Sequence, residues 1–220
     1  RFDIDEEGVQ VVLKQSYSTG TVTVDAEEGD VGGLIGDVQV ENDNNDGDPA
    51  VRFTIQDSYS WADVTGGSVV GGIIGYAETY NDGYETVANI TLERSYSAGS
   101  ITANNGEAGG IIGLLDDLSD EGLEVELHDS FVVGAVTGTN DAYALIGGSD
   151  GFLGGDGVFT MTNSWFDPGS VGQSSPLYDE VSGWDVSDSP DEFKNNSTRA
   201  PFTDPADDDA QLWDFTDIWI

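Results

Sequence analysis

The sequence repeats one cassette four times in order and opens a fifth copy. Each cassette starts with a serine and an aromatic residue, continues with an aliphatic residue five positions after the aromatic, and closes with Gly-Gly-aliphatic-aliphatic-Gly. The opening pairs are Ser16-Tyr17, Ser58-Tyr59, Ser95-Tyr96, Ser130-Phe131 and Ser164-Trp165. Successive serines are 42, 37, 35 and 34 residues apart. A period in this range indicates a repeat architecture, in which each unit buries its apolar side only by stacking on its neighbours.

Each cassette predicts three short strands. The first alternates apolar and polar residues up to the aromatic, which is typical of a half-buried strand. The second is centred on the aliphatic residue that follows, such as Val22 in the first copy. The third is the closing segment, at 32–36, 71–75, 109–113 and, as Tyr-Ala-Leu-Ile-Gly, at 143–147.

Aligned registers in successive copies predict an all-β fold, a right-handed parallel β-solenoid (β-helix) with about three short strands per coil. In such a stack the cassette aromatics form one ladder and the cassette serines a neighbouring one, with coils about 4.8 Å apart. The pattern leaves open whether the aromatic ladder faces inward or outward. The glycines are expected at corners, or where neighbouring coils crowd the backbone.

The repeats predict two regions, a solenoid at 1–165 and a capping region at 166–220. In the second region prolines interrupt regular structure while aromatics supply apolar mass, so we expect an irregular, aromatic-rich C-terminal cap. Open strand edges recruit other chains, and the start of the chain offers no comparable cap. We therefore expect end-to-end assembly with another copy through residues 1–24, or continuation into preceding repeats.

The cassettes resemble the GLUG repeat of secreted and surface proteins of bacteria and archaea. Its Ser-Tyr, Gly, Gly-Gly-Leu-Val-Gly pattern is matched by residues 15–36, 57–75 and 94–113, and more weakly by 129–147. The tail, with 164–167, 172–175 and 213–219, is similar to the usual end of such an array. The resemblance implies a β-solenoid in a stalk or adhesive module, and it brings no catalytic residues.

The charge of the chain points to its environment. It has 43 acidic and 6 basic residues, a net charge of −37. Self-repulsion of this size destabilises a compact state in dilute buffer, whereas at about 1 M salt the Debye length falls to about 3 Å. We therefore expect a protein of a halophilic archaeon, and the GLUG resemblance implies an extracellular or cell-surface location. The negative charge disfavours nucleic acid and anionic membranes as partners, and no apolar run is long enough for a membrane span.

Calcium binding is an alternative interpretation of the acidic residues, although no cofactor is required. The loop after the first closing segment is rich in oxygen ligands of the kind that Ca²⁺ prefers. Its candidate ligands are Asp43, Asn45, Asp46 and Asp48. The loop lacks the EF-hand spacing, and an acidic composition produces such clusters by itself.

Three sequons predict N-glycosylation, at Asn89, Asn195 and Asn196. Asn196 lies in a Ser/Thr/Asn-rich loop typical of an acceptor site. Asn89 lies near the start of a predicted strand, which makes it a poorer acceptor.

No catalytic residue is predicted, and we expect the chain not to be an enzyme. Acid pairs such as Asp116-Asp117 carry little information among 43 acids. The single histidine, His128, is interpreted as structural or solvent-facing. Arg94 occupies the position held by Gln15 and Asp57 in earlier copies, so we interpret it as a tolerated corner residue.

Three classes of function remain. The first is a non-enzymatic extracellular structural or adhesive module, such as a filament subunit, stalk or adhesin that contacts itself, other surface proteins or glycans. The second is a carbohydrate-binding module that uses aromatics on edge loops and nearby coils, with Trp61, Tyr76, Tyr80 and Tyr84 as candidates. The third and least favoured is a polysaccharide-acting β-helix enzyme, which would need a groove of paired carboxylates beside an arginine.

Overall fold

Short strands stack in parallel along the repeat axis, and they wind the chain into a β-solenoid in this computed structural model. The structure describes residues 2–4, 9–25, 29–42, 51–81, 88–117, 123–150, 158–162, 164–166 and 171–172. The predicted fold class, an all-β parallel solenoid, is confirmed.

The strands form four sheets, here named A to D. Sheet A contains β1 (Phe2–Ile4), β5 (Ile35–Asn42), β9 (Ile74–Asn81), β14 (Ile112–Asp117) and β19 (Ile146–Asp150). Sheet B contains β2 (Gln10–Lys14), β6 (Arg52–Gln56), β10 (Ala88–Glu93), β15 (Leu123–His128) and β20 (Val158–Thr162). Sheet C contains β3 (Tyr17–Thr23), β7 (Tyr59–Gly66), β11 (Tyr96–Ser97), β12 (Ile101–Ala103), β16 (Phe131–Val132), β17 (Val136–Gly138) and β21 (Trp165–Phe166). Sheet D contains β4 (Asp30–Gly32), β8 (Val69–Gly71), β13 (Glu107–Gly109) and β18 (Ala142–Tyr143).

The chain passes through the sheets in the order B, C, D, A and completes this circuit four times within the described ranges. Cassette positions face one another in successive coils, as predicted from the repeat. Tyr17 pairs with Tyr59, Tyr59 with Tyr96, Tyr96 with Phe131, and Phe131 with Trp165. The sequence register is therefore the structural register.

The structure refines one detail of the prediction, because each described coil passes through four sheets and contains four or five strands rather than about three. The closing segment was expected to be a single strand. Instead, its first glycine ends a strand of sheet D, as Gly71 ends β8, and a strand of sheet A begins three residues later at Ile74. The second glycine and the first aliphatic residue form the bend between the two strands.

Crowding between coils explains the second glycine of the closing segment. A Cβ on Gly72 would lie 2.7 Å from the Cβ of Ser97 and closer still to the carbonyl oxygen of Gly110, both in the next coil. The fourth copy has Ala144 at this position. Ala144 is fully buried, and it follows β18, which is the last strand of sheet D among the described residues.

The core lies between the sheets and is filled by the inward-facing aliphatic residues of every coil. Strand β6 shows the alternation, since Phe53 and Ile55 are fully buried while their neighbours are partly or fully exposed. The same positions of β10 and β15 also carry fully buried side chains, namely Ile90, Leu92, Val125 and Leu127. Period-two patterning thus puts one face of each strand in the core.

The predicted capping region at 166–220 lies almost wholly outside the described residues, so its structure stays a prediction. Of this region the structure places Phe166, Val171 and Gly172. Phe166 is 5% exposed and Val171 is 1% exposed, and both belong to the core.

Candidate functional site: the aromatic ladder and the first-coil edge

The cassette serines form a hydrogen-bond ladder between coils. The backbone N–H of Ser58 donates to Oγ of Ser95 at 3.4 Å, and that of Ser95 donates to Oγ of Ser130 at 3.3 Å. The same bond joins the first two coils at Ser16 and the last pair at Ser164. Each hydroxyl donates in turn to the carbonyl two residues earlier in its own coil, over 2.8 to 3.2 Å. The predicted serine ladder is confirmed, and its hydroxyls are used within the stack.

The residue before each serine turns the chain through the left-handed region. Its φ is 51° at Gln15, 51° at Asp57, 47° at Arg94 and 50° at Asp129. An L-residue in this conformation costs about 1–2 kcal/mol. The serine that follows bonds to the carbonyl before the turn, so the ladder holds the corner at the same place in each coil.

An ion pair across three coils lies at this corner. Asp57 is 5% exposed. The Nε of Arg94 in the next coil donates to its Oδ1 at 2.6 Å, and the Nζ of Lys14 in the previous coil lies 3.6 Å from its Oδ2. Burial disfavours the charged guanidinium, but the hydrogen bond and charge of Asp57 outweigh it and raise the pKa of Arg94. Sequence reasoning missed this link. Its only signal was the alternation of acid and base at equivalent positions of neighbouring copies.

The cassette aromatics form a stacked ladder on the outer face of sheet C. Successive ring centroids are 5.3 Å apart for Tyr17 and Tyr59, 5.0 Å for Tyr59 and Tyr96, and 4.6 Å for Tyr96 and Phe131, with ring planes within 10° of parallel. The rings point outward because the next residue in each strand, such as Ser60, is buried and side chains alternate. The ring faces are therefore stacked against the rings of neighbouring coils. The exception is Tyr17, which is 65% exposed at the end of the row.

Trp61 stands beside this ladder and is 58% exposed. Its indole ring meets Tyr59 edge-on, with centroids 6.1 Å apart and planes inclined by 61°. Its indole N–H donates to the hydroxyl of Tyr96. Burial, followed by the proximity of Tyr59, raises the pKa of Tyr96 to about 12 despite this bond. Trp61 thus presents an aromatic surface outside the stack while being held at its edge.

Tyr76 lies in β9 of sheet A, so the structure does not bring it together with Trp61 on sheet C. Its hydroxyl donates to Oδ2 of Asp116 at 2.6 Å in the next coil. Burial and this bond both raise the pKa of Tyr76. The other two predicted ligand-binding tyrosines are not placed, because Tyr84 and the side chain of Tyr80 lie outside the described residues.

The candidate calcium ligands Asp43, Asn45, Asp46 and Asp48 also lie outside the described residues, and that site stays a prediction. Within the described ranges, no group of three or more His, Asp or Glu side chains is arranged to hold a metal ion. Nor does this part of the chain contain a helix long and apolar enough to cross a membrane.

Of the remaining predicted residues, two lie outside the described ranges and two lie within them. Asn195 and Asn196 are not described. Asn89 lies in β10 and is 3% exposed, and its Oδ1 accepts a hydrogen bond from Thr91 at 2.5 Å. Attachment of a glycan to Asn89 would require this buried side chain to become exposed to solvent. The imidazole of His128 lies on the outer side of sheet B, with Nε2 3.8 Å from Oε2 of Glu126.

The two ends of the stack differ. At one end, β2, β3 and β4 each pair on one side only among the described strands. We call β2 and β3, residues 10–23, the first-coil edge. The inward-facing Val11, Leu13 and Val22 of this coil are only partly buried. At the other end Met161 is 2% exposed and Phe166 is 5% exposed. Among the described strands, those at the other end, such as β18 and β20, also pair on one side only, so the two ends differ in the burial of their inward-facing side chains.

Fold and ladders together define the chain as a tandem-coil parallel β-solenoid whose repeated polar groups join coil to coil. No family model, curated protein or solved structure matches it. The GLUG resemblance therefore stays a prediction, and the function is argued below from the residues themselves.

Proposed function

We propose that the chain is a non-catalytic structural or adhesive module of the GLUG type, exposed at the surface of a halophilic archaeon. One observation carries this proposal. The serine recurs in every cassette, and from Ser58 to Ser164 each hydroxyl both donates and accepts a hydrogen bond within the stack. A repeated group used in this way builds a rod, as a stalk or filament requires, and does not present a nucleophile.

The charge supports the halophilic part of the proposal. A net charge of −37 repels itself in dilute buffer and is screened at molar salt. The chain should therefore unfold cooperatively when KCl is dialysed away and refold when it is restored. Circular dichroism measures both steps. A fold equally stable at low and molar KCl would contradict the halophilic assignment.

Localisation and attachment test the surface role directly. Antibodies against the folded chain should label intact producing cells in their native salt. Deleting the coding region should reduce attachment of those cells to a surface while leaving their growth rate unchanged. Labelling that appears only after lysis would overturn the surface assignment. Labelling at the surface with unchanged attachment would restrict the role to a stalk.

Carbohydrate recognition is the second candidate, and exposed Trp61 is the observation that favours it. Aromatic side chains that present a face to solvent stack on sugar rings, whereas the ladder rings after Tyr17 are stacked on one another. A glycan array in molar KCl should show binding that Trp61→Ala removes. Tyr76→Phe is the matched control on sheet A. No bound glycan with intact protein would reject this candidate.

A further inference from the structure

We propose that the outer face of sheet C around Trp61 binds an extended neutral glycan, with one pyranose ring stacked on the indole and a sugar hydroxyl donating a hydrogen bond to the carboxylate of Asp63. This inference rests on the carbohydrate-binding candidate of the proposed function. It adds the chemical class of the sugar and the residue that selects it.

Trp61 departs from the repeat. In β7 it pairs with Thr19 of the first coil, and the equivalent positions of the next two coils hold Ala98 and Val133. These coils stack without an aromatic side chain at this position, so the fold does not require the indole. The indole is therefore available for a contact outside the stack.

The exposure of Trp61 is that of a residue in the middle of the stack. Its strand β7 pairs with β3 on one side and with β11 and β12 on the other. Described coils flank it in both directions, and the side chain is still 58% exposed. The edge contact with Tyr59 and the hydrogen bond to Tyr96 hold the ring in place. A ring that is fixed before binding loses little freedom when a ligand stacks on it.

Asp63 supplies a hydrogen-bond acceptor beside the indole. Residues two apart on a strand share a face, about 6.6 Å from each other, and both Trp61 and Asp63 are exposed. The backbone N–H of Ser100 in the next coil donates to Oδ1 of Asp63 at 2.9 Å, which fixes the carboxylate. Its Oδ2 makes no hydrogen bond with any residue that the structure describes. A pyranose on the indole can reach Oδ2 with a hydroxyl, and hydrogen bonds to a carboxylate are strong.

Hydroxyl side chains lie on both sides of this pair. In the first coil, Thr19 pairs with Trp61 and Thr21 pairs with Asp63. In the third coil, Ser100 adjoins Asp63 and is exposed. Hydroxyls both donate and accept hydrogen bonds, as sugar hydroxyls do. An aromatic ring flanked by polar groups along a sheet face fits a chain of sugars that lies across the coils.

Charge selects among glycans at this face. The sheet C segments 17–23, 59–66 and 96–103 contain no lysine or arginine, so a sugar carboxylate would meet Asp63 without a compensating cation. Like charges in contact repel each other. A cationic amino sugar would gain attraction in dilute buffer, but molar salt screens an exposed pair. Under the salt conditions that the charge of the chain requires, the face therefore favours a neutral glycan.

Three β-1,4-linked tetrasaccharides that differ in charge test the proposal. Cellotetraose is neutral, its glucuronate counterpart is anionic, and its glucosamine counterpart is cationic. Isothermal titration calorimetry in about 2 M KCl measures the affinity of the chain for each. We expect binding of cellotetraose, binding of the glucuronate at least about tenfold weaker, and no tighter binding of the glucosamine.

Two variants test the residues. Trp61→Thr installs the residue of the first coil and should abolish binding. Asp63→Asn keeps an acceptor for the N–H of Ser100 but removes the charge, so it should weaken cellotetraose binding about fivefold and reduce the discrimination against the glucuronate. Asp25→Asn, at an exposed carboxylate beyond β3, is the matched control and should change neither affinity. Circular dichroism verifies that each variant is folded.

The outcomes separate this inference from the proposed function. No binding of cellotetraose, or tighter binding of the glucosamine tetrasaccharide, would overturn the neutral-glycan assignment. Binding on the glycan array that depends on Trp61 but is unchanged by Asp63→Asn would refute the inference, while the carbohydrate-binding candidate would stand. A silent array and no tetrasaccharide binding would reject both.

Discussion

Replacing Gly72 by alanine tests the origin of the glycine pairs. The new Cβ would lie 2.7 Å from the Cβ of Ser97, and closer still to the carbonyl of Gly110, whereas ordinary contacts begin at 3.4 Å. Its neighbours are backbone or short side chains that cannot rotate away, so the two coils must separate locally. Separation strains the bonds from the N–H of Gly72 to Gly109 at 3.1 Å and from Ile73 to Ile111 at 2.9 Å.

Overpacking costs about 1–3 kcal/mol, and two weakened hydrogen bonds add about 1 kcal/mol each. We therefore expect Gly72→Ala to lower the free energy of unfolding by about 3–5 kcal/mol. Urea unfolding in molar KCl measures this change. The matched control is Ala144→Gly, at the same cassette position in the fourth coil, which should cost at most about 1 kcal/mol. A loss below about 1 kcal/mol for Gly72→Ala would refute the crowding argument.

Three further predictions concern the ladders and the corner. Ser95→Ala leaves the N–H of Ser58 without its acceptor, and should lower the free energy of unfolding by about 1–3 kcal/mol in the same urea assay; an unchanged midpoint would contradict the ladder's role. Arg94→Ala removes the closest cation of buried Asp57 and should lower the free energy of unfolding by about 3 kcal/mol. The double variant with Asp57→Ala should recover part of this loss, and equal losses in the single and double variants would argue against the ion pair. The raised pKa of Tyr96, about 12 against 10.0 in the unfolded chain, means that the folded state holds this proton more tightly. Its contribution to stability is complete below pH 10 and is lost as the pH rises through 12, so Tyr96→Phe should flatten that part of the pH profile of unfolding. An identical slope in both proteins would reject the assignment.

Much of the fold could be predicted because the repeat is translational. When one coil stacks on the next, equivalent residues must meet, so the spacing of the cassettes fixes which residues pair. The ladder from Tyr17 to Trp165 follows in this way. Strand count was less predictable, because the bend at Gly72 depends on the carbonyl of the next coil, and no local pattern distinguishes a strand from two strands joined by a bend.

The candidate site was less accessible from sequence. Trp61 was selected as an aromatic near an edge, and its exposure agrees with that choice. Tyr76 is predicted as a ligand-binding aromatic on the same grounds as Trp61. It lies on another sheet, however, and its hydroxyl donates a hydrogen bond to Asp116. The sequence pattern groups Trp61 and Tyr76 because both are aromatic and lie near loops. Their positions around the coil depend on which sheet each strand joins, and the residue type does not reveal that.

The sequence by itself determined that this chain is a parallel solenoid, which residues stack and which serines align, because these follow from alternation along a strand and repetition along the axis. Only the tertiary structure decided that the aromatic ladder faces outward, that Arg94 and Lys14 converge on Asp57, and that the inward-facing side chains of the first coil are only partly buried. These features depend on the direction of each corner and on what covers each end. Both are set by contacts between coils, and a pattern within one coil does not contain them.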